Sequence, residues 1–248
     1  MKPYYEDRWT KIYLGDCREI LPRLGDVSCP DCGSDNFSFN PIDDSDYICK
    51  ECGKWFNKFH VDLVLTDPPY PDQHLEYGDC DISFLDNEIV NCQQLVFWTA
   101  KCDFPLHYNA VHIWDKKTGC ASEYERIFER NTERGNWKVF REYLINSSVA
   151  ANYCHDVFTG HPSQKPFMLI TKLIQYADCM GLILDPFMGS GSTCYCAKRL
   201  NRYSIGIEIE EKYCEIAAKR CSQSSLELDI PAGKTARIKN QQPMELDL

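Results

Sequence analysis

Apolar residues along the chain follow two alternating rhythms. Short runs have the length and the β-branched or aromatic content of buried strands: Lys11-Ile12-Tyr13-Leu14, Val61-Asp62-Leu63-Val64-Leu65, Leu95-Val96-Phe97-Trp98, Ala110-Val111-His112-Ile113-Trp114, Leu182-Ile183-Leu184 and Ser204-Ile205-Gly206-Ile207-Glu208. Between them apolar positions recur at helical spacing, at Cys17, Ile20, Leu21 and Leu24, and at Phe167, Leu169, Ile170, Leu173, Ile174 and Ala177. Thr193 to Leu200 and Glu211 to Cys221 read as two further helices. Strands alternating with helices predict an α/β fold, a mainly parallel sheet covered on both faces. Ligands of such sheets sit at the carboxyl ends of the strands. Residues 116–160 show no clean period, and the polar tail, 231–248, is expected to be mobile.

Residues 28–59 break the rhythm, being rich in Cys, Asp, Ser and Asn without a long apolar period. Removing Ser28 to His60 joins Leu24-Gly25-Asp26-Val27 to Asp62-Leu63-Val64-Leu65, an ordinary helix, short loop and strand. The segment therefore reads as an insertion, residues 28–60, in a host domain made of residues 1–27 and 61–230.

Composition narrows the class. A chain of 248 residues with 44% hydrophobic content can bury one sizeable core and a small accessory unit. The N-terminal residues Met1 to Thr10 lack a signal-peptide pattern, and no apolar run approaches the ~18 residues of a membrane span. Fifteen cysteines, an odd number, in a long chain without an export signal fit reduced thiols and metal binding rather than a disulfide framework. The expectation is a soluble protein of a reducing, cytoplasmic compartment with no membrane partner. A net charge of −10 argues against a general polyanion binder and leaves room for a local basic face.

Two sets of residues carry chemistry. Asp185-Pro186-Phe187-Met188-Gly189-Ser190-Gly191-Ser192-Thr193 lies between a strand and a helix, and its glycines allow a sharp turn and close approach of a ligand. Glu208 ends the next strand, 17 residues after Gly191, where a carboxylate can accept both ribose hydroxyls of an adenosine cofactor. The loop lacks the third glycine of a dinucleotide site and the Lys-Ser/Thr of a P-loop, which disfavours nicotinamide cofactors and nucleoside triphosphates. A short loop with acidic strand ends suits the sulfonium, amine and ribose of S-adenosylmethionine.

Thr66-Asp67-Pro68-Pro69-Tyr70 ends the Leu63–Leu65 strand. Consecutive prolines stiffen the turn and remove two N–H donors, leaving the Asp67 carboxylate and the Pro68 carbonyl as outward acceptors. An exocyclic base amine has two N–H donors and a lone pair delocalised into the ring. Two acceptors can hold both hydrogens and favour a pyramidal nitrogen, while Tyr70 stacks on the base. A base in duplex DNA must leave the stack to reach such a pocket.

These blocks, with His161-Pro162-Ser163-Gln164-Lys165-Pro166 between them, resemble in order the amino-methylating DNA methyltransferases of the permuted β class. The resemblance covers most of residues 11–27 and 61–221. It implies a circularly permuted, Rossmann-like seven-stranded sheet with one reversed strand, the fold of the S-adenosylmethionine-dependent methyltransferases. It implies Asp67, Pro68, Pro69 and Tyr70 as catalytic residues. Asp185, Pro186, Phe187, Gly189, Gly191, Ser192 and Glu208 would bind cofactor, joined by Ser163 and Lys165 at the start of the Phe167 helix. Asp16, after Gly15, resembles the segment placed near the cofactor adenine; Gly-Asp before a helix is equally ordinary capping, and Ser163 read alone is a helix cap. Asp at the first tetrad position resembles the adenine-N6 members rather than those acting on cytosine N4. The implied partners are double-stranded DNA and, as an option, a second copy of the chain, in a restriction-modification setting.

Cys29-Pro30-Asp31-Cys32-Gly33 and Cys49-Lys50-Glu51-Cys52-Gly53 are two Cys-x-x-Cys knuckles with 16 residues between them. Four thiolates so spaced, Cys29, Cys32, Cys49 and Cys52, suit a closed, structural zinc ribbon. Cys17, Cys194 and Cys196 read as helix packing positions, and His112 and His155 as structural. Target recognition is expected within residues 71–160. There Lys101, Lys116, Lys117, Arg126, Arg130, Arg134, Lys138 and Arg141 stand as candidates for phosphate contacts or as a solvated face. Two alternatives stay open: a cytosine-N4 DNA methyltransferase, and a non-catalytic zinc-ribbon nucleic-acid binder on a relic fold.

Overall fold

The expected alternation is realised in a three-layer α/β molecule. The computed structural model describes residues 1–25, 37–39, 46–52, 55–57, 60–70, 81–87, 90–117, 123–143, 159, 161 and 163–226. The elements are β1 (Tyr5–Glu6), β2 (Thr10–Leu14), α1 (Cys17–Gly25), β3 (Phe37–Phe39), β4 (Asp46–Cys49), β5 (Trp55–Asn57), β6 (Leu63–Thr66), β7 (Gln93–Trp98), β8 (Ala110–Asp115), β9 (Tyr124–Arg130), β10 (Val139–Arg141), α2 (Phe167–Ala177), β11 (Leu182–Asp185), α3 (Ser192–Arg199), β12 (Tyr203–Glu208) and α4 (Glu211–Leu226). The main sheet has the order β1-β2-β12-β11-β6-β7-β9-β8-β10. The strands β2, β12, β11, β6 and β7 run parallel, β9 is antiparallel to both β7 and β8, and β1 is antiparallel to β2.

The expected seven-stranded frame is present and is extended at both edges. The seven strands from β2 to β8 in sheet order, with β9 reversed, are the frame that the resemblance implies. Among the described residues the short β1 and β10 add one strand at each edge, giving nine.

Both faces are covered, so each central strand is apolar at successive positions and its period-2 alternation sorts residues between two cores. Leu63, Leu65, Leu95, Phe97, Ile127 and Ile183 face α2 and α3, whose Leu169, Ile170, Leu173, Ile174, Cys196 and Ala197 meet them. Val64, Val96, Trp98, Phe128 and Leu184 point the opposite way, toward Cys17, Ile20 and Leu21 of α1. A third cluster packs Cys194, Cys214, Ala217 and Cys221 onto Ile12 and Met188. Cys17, Cys194 and Cys196 are thus packing residues, as expected. Each large apolar side chain buried in these layers contributes about 1.5–3 kcal/mol.

The patternless stretch 116–160 hides β9 and β10. β9 reads Tyr-Glu-Arg-Ile-Phe-Glu-Arg, yet it lies inside the sheet, between β7 and β8. Its charges are tolerated because each is paired. Glu129, fully buried, accepts from His112 Nε2 at 3.0 Å, Tyr176 Oη at 2.8 Å and Gln93 Nε2 at 2.6 Å. The Lys138 N–H donates to His112 Nδ1 at 3.0 Å, which leaves Nε2 as the donor to Glu129. His112 is therefore structural. Arg130 bonds Gln94 Oε1 at 2.8 Å, the His107 carbonyl at 2.6 Å and the Asp86 carboxylate.

β3, β4 and β5 form a separate antiparallel sheet, with Phe37 opposite Cys49 and Ile48 opposite Trp55. No helix among the described residues is long and apolar enough to cross a membrane. The tail, residues 231–248, lies outside the described residues.

Candidate active site

Three parallel strands deliver acidic residues to one end of the sheet. β6 ends at Thr66 with Asp67 next, β11 ends at Asp185 and β12 at Glu208. A cavity of about 230 Å³ opens there, lined by all four tetrad residues and by Ser163, Lys165, Asp185, Phe187, Gly189, Ser192 and Glu208. The two halves are joined directly, since Thr66 Oγ1 donates to Asp185 Oδ1 at 2.7 Å.

Local chemistry explains the loop. Gly189 and Gly191 both have positive φ, +53° and +75°. A Cβ on Gly191 would lie 2.6 Å from Ala217 Cβ, and one on Gly189 would lie 3.0 Å from His161 Nε2. The Gly189 N–H donates to Glu208 Oε2 at 2.8 Å and the Glu210 N–H to Oε1 at 2.8 Å, so Glu208 holds the loop as well as facing the cavity. Burial pushes the Glu208 carboxyl above its usual range, against the pull of these N–H groups. Burial likewise raises Asp185 to about 6, although Thr193, Thr66 and the Phe187 N–H donate to it. His161 packs edge-on against Tyr213, ring centroids 4.3 Å apart. Burial and the nearby Lys165 push it down to about 4, so it is neutral at neutral pH.

The tetrad is more tied down than its sequence suggests. Tyr70 Oη donates to Asp67 Oδ1 at 2.5 Å, while its ring packs on Trp98 with centroids 5.6 Å apart. Lys165 pairs with Asp67 Oδ2 and lies 3.4 Å from Glu125 Oε2. Lys165 thus belongs to the tetrad as much as to the cofactor loop. Burial opposes its charge, but the two carboxylates raise its pKa, so it is an ammonium.

Three residues assigned to the cofactor do not line the cavity: Asp16, Pro186 and Gly191. Asp16 caps α1, accepting from the Arg18 N–H at 2.8 Å and from the Arg18 guanidinium. Capping is therefore what its side chain does, although Gly15 N–H reaches the Glu208 carbonyl at 2.9 Å. Ser163 does not cap α2. Lys165 and Pro166 continue past it, and Pro166, with extended backbone, takes the N-cap position without a side-chain bond.

Sequence reasoning left several cavity residues without a role: Thr66, Phe97, His161 and Tyr213. It also missed Glu125 beside the tetrad, and it read Glu125's partner Lys116 only as a candidate phosphate contact. Two of these cavity residues carried a signal: Thr66 stands directly before the tetrad and His161 opens the His-Pro-Ser-Gln-Lys-Pro block. The expected basic face is reduced. Lys116 is held by Glu125, Arg130 by Asp86, and Arg126 by the Thr99 carbonyl at 2.7 Å. Of the four knuckle cysteines, Cys29 and Cys32 lie outside the described residues, Cys49 ends β4, and Cys52 follows in the turn before β5. Among the described residues no group of three or more His, Cys, Asp or Glu is placed to hold a metal ion.

A sheet of this order, with its acidic strand ends around one cavity, defines a protein of the S-adenosylmethionine-dependent methyltransferase fold. The chain belongs to the N6/N4 DNA methylase family, whose model, described as DNA methylase, matches residues 84–219; the tetrad precedes the matched span. Among curated relatives, the chain is 25% identical to the type II methyltransferase M.HpaI of Haemophilus parainfluenzae, over 64% of this chain and 68% of that one. It is 36% identical to M2.DpnII of Streptococcus pneumoniae, over 43% of this chain and 48% of the relative, so it spans about half of that protein. The PvuII cytosine-N4-specific DNA methyltransferase shares the fold with a TM-score of 0.56 at 17% identity, covering 96% of this chain and 94% of that one. The M1.HpyAVI–SAM complex does so with a TM-score of 0.50 at 20% identity, covering 85% and 98%.

Proposed function

We propose that this chain transfers a methyl group from S-adenosylmethionine to the N6 amino group of adenine in double-stranded DNA, by direct in-line transfer to a flipped base. The observation that carries the reading is the single cavity shared by the Asp67 tetrad and the Asp185–Glu208 loop, bonded to one another through Thr66. The residues suit the cofactor: Gly189 turns at positive φ on the cavity wall, and two carboxylates, the buried Asp185 and the half-buried Glu208, line the same cavity as acceptors of the kind an amine and a ribose require. When bound, S-adenosylmethionine supplies an electrophilic methyl group on a sulfonium.

The chain's own residues supply position and charge. Asp67 accepts from Tyr70 and Lys165, and each carboxylate oxygen keeps a second lone pair for a base N–H. Asp67 is also the acceptor for the one proton the amine loses as it gains a methyl group. Phe97 and Tyr70 line the cavity and give it an aromatic wall.

The preference for adenine rests on Asp67 at the first tetrad position. Nucleoside mass analysis of DNA incubated with protein and cofactor tests it. N6-methyladenine is expected, N4-methylcytosine replaces the base assignment, and no methylated base overturns the reading. Asp67→Ala abolishes transfer while binding of the neutral product S-adenosylhomocysteine survives.

For residues 28–60 the proposal is a structural zinc ribbon held by Cys29, Cys32, Cys49 and Cys52. The described backbone supports it by setting Cys49-Lys50-Glu51-Cys52 at the turn joining β4 to β5.

A further inference from the structure

Beneath the tetrad lies a compact cluster of charges that neither the cofactor loop nor the tetrad motif accounts for. Glu125, near the start of the reversed strand β9, accepts from Lys116 Nζ on Oε1 at 2.7 Å. Its Oε2 lies 3.4 Å from Lys165 Nζ and 3.5 Å from Tyr70 Oη. Lys165 pairs in turn with Asp67. All four charged side chains are shielded, with exposures of 15% for Glu125, 17% for Lys116, 8% for Lys165 and 19% for Asp67. The ammonium of Lys165 also stands 5.0 Å from the Phe97 ring centre, at the cavity wall.

The count is two carboxylates and two ammoniums, a neutral cluster. Neutrality matters because both reactants place positive charge here: a sulfonium on arrival, and an amine that becomes cationic as it is methylated. In a cavity walled by protein, where charges are screened less than in bulk water, an unbalanced ammonium a few ångströms away repels both. Asp67 alone cannot balance Lys165 and Lys116 together.

We infer that Glu125 is a positioning residue for methyl transfer: by sharing Lys165 with Asp67 and pairing Lys116, it cancels the ammonium charge facing the cavity and lets a cationic sulfonium and an amine lie beside Asp67. The inference rests on the methyltransferase reading and adds a residue outside that family's sequence blocks. Glu125 also fixes where Lys165 points, since the ammonium is held between two carboxylates and is not free to occupy the space needed by the base.

S-adenosylmethionine and S-adenosylhomocysteine differ by the methyl group and its positive charge, so their affinity ratio reads charge at this place. Isothermal titration of both ligands is done on the unchanged full chain, on Glu125→Gln, on Lys116→Met and on the double variant. Glu125→Gln leaves an excess positive charge and is expected to weaken S-adenosylmethionine about tenfold or more, with S-adenosylhomocysteine moving less than about threefold. Lys116→Met has the opposite sign and tightens S-adenosylmethionine alone. The double variant, neutral again, returns most of the lost affinity. A purely structural role shifts both ligands together and is not rescued by the second substitution; either result overturns the inference. If Glu125→Gln fails to fold, Lys116→Met still decides, since an unmoved ratio there overturns it. An unchanged protein that binds neither ligand overturns the methyltransferase reading and this inference with it, whereas binding of both with a ratio indifferent to Glu125 and Lys116 overturns this inference alone.

Discussion

The Asp185 carboxyl, proposed above as a cofactor acceptor, works against the stability of the empty protein. It titrates near 6 in the fold against a usual 3.8, because burial outweighs the donors around it. A raised carboxyl favours the fold below its unfolded pKa, and that contribution is lost as pH rises through about 6. At pH 7.5 the ionised group therefore destabilises the empty protein. Asn at this position keeps an oxygen for Thr66 and the Phe187 N–H and removes the charge. Asp185→Asn is expected to raise stability at pH 7.5 by about 1–3 kcal/mol in urea unfolding. Cofactor binding runs the other way, because protonation removes the charge that attracts a cationic ligand. Affinity for S-adenosylmethionine falls as pH drops below about 6, and Asp185→Asn flattens that fall. His161, lowered to about 4, does not titrate in this window. Gly191 gives a second residue-level prediction. A methyl group there meets Ala217 Cβ at 2.6 Å on a backbone with φ of +75°, so Gly191→Ala should cost about 2–4 kcal/mol in thermal or urea unfolding. A stable Gly191→Ala protein with intact affinity contradicts this account of the loop.

Strand β9 is where element-scale reasoning is tested. The sequence Tyr124 to Arg130 has two apolar residues at its centre, Ile127 and Phe128, and charges on either side. Periodicity cannot find such a strand, because charged residues occupy positions that the sheet buries. Their burial is tolerable only through partners far away in sequence: His112 and Tyr176 for Glu129, Asp86 and Gln94 for Arg130, Lys116 and Lys165 for Glu125. Glu129→Ala leaves three buried donors, on His112, Tyr176 and Gln93, without their acceptor, so it should destabilise the protein by about 3 kcal/mol or more, at about 1–3 kcal/mol for each unsatisfied group, far more than a surface Glu. The His112 and Tyr176 donors hold the Glu129 carboxyl below its usual range despite burial, so its contribution is present above the unfolded pKa near 4.5 and is lost as pH falls through the folded value. Acid unfolding of Glu129→Gln should lack that component. The same reasoning explains what was legible beforehand. β6, β7, β11 and β12 announce themselves because both faces are apolar, and they carry Asp67, Asp185 and Glu208 at their ends. Lys165 was visible as part of a motif, but its reach to Asp67 was not, since that contact joins residues 98 apart in the chain.

At the scale of the whole molecule the proposed division is between the main sheet and the 28–60 insertion. The main sheet buries apolar residues on two faces, in layers that the sequence pattern foretold. Among the described residues the segment between α1 and β6 shows three strands, of three, four and three residues. Sheets so short do not bury enough apolar surface to persist alone in water. If the four knuckle cysteines bind zinc, the binding free energy is the module's folding free energy, and the host sheet does not depend on it. The expected outcome is about one zinc per chain by elemental analysis. Stripping it with a strong chelator should remove a small, separate calorimetric transition and leave the main transition in place. S-adenosylhomocysteine affinity should be unchanged, because the cavity is built from β6, β11, β12 and the segment before α2. Cys52→Ser should behave as the stripped protein does. Loss of the main transition together with the metal would instead make the module part of the sheet's own fold, and the excision that joins Val27 to Asp62 in the sequence would no longer describe how the molecule is assembled.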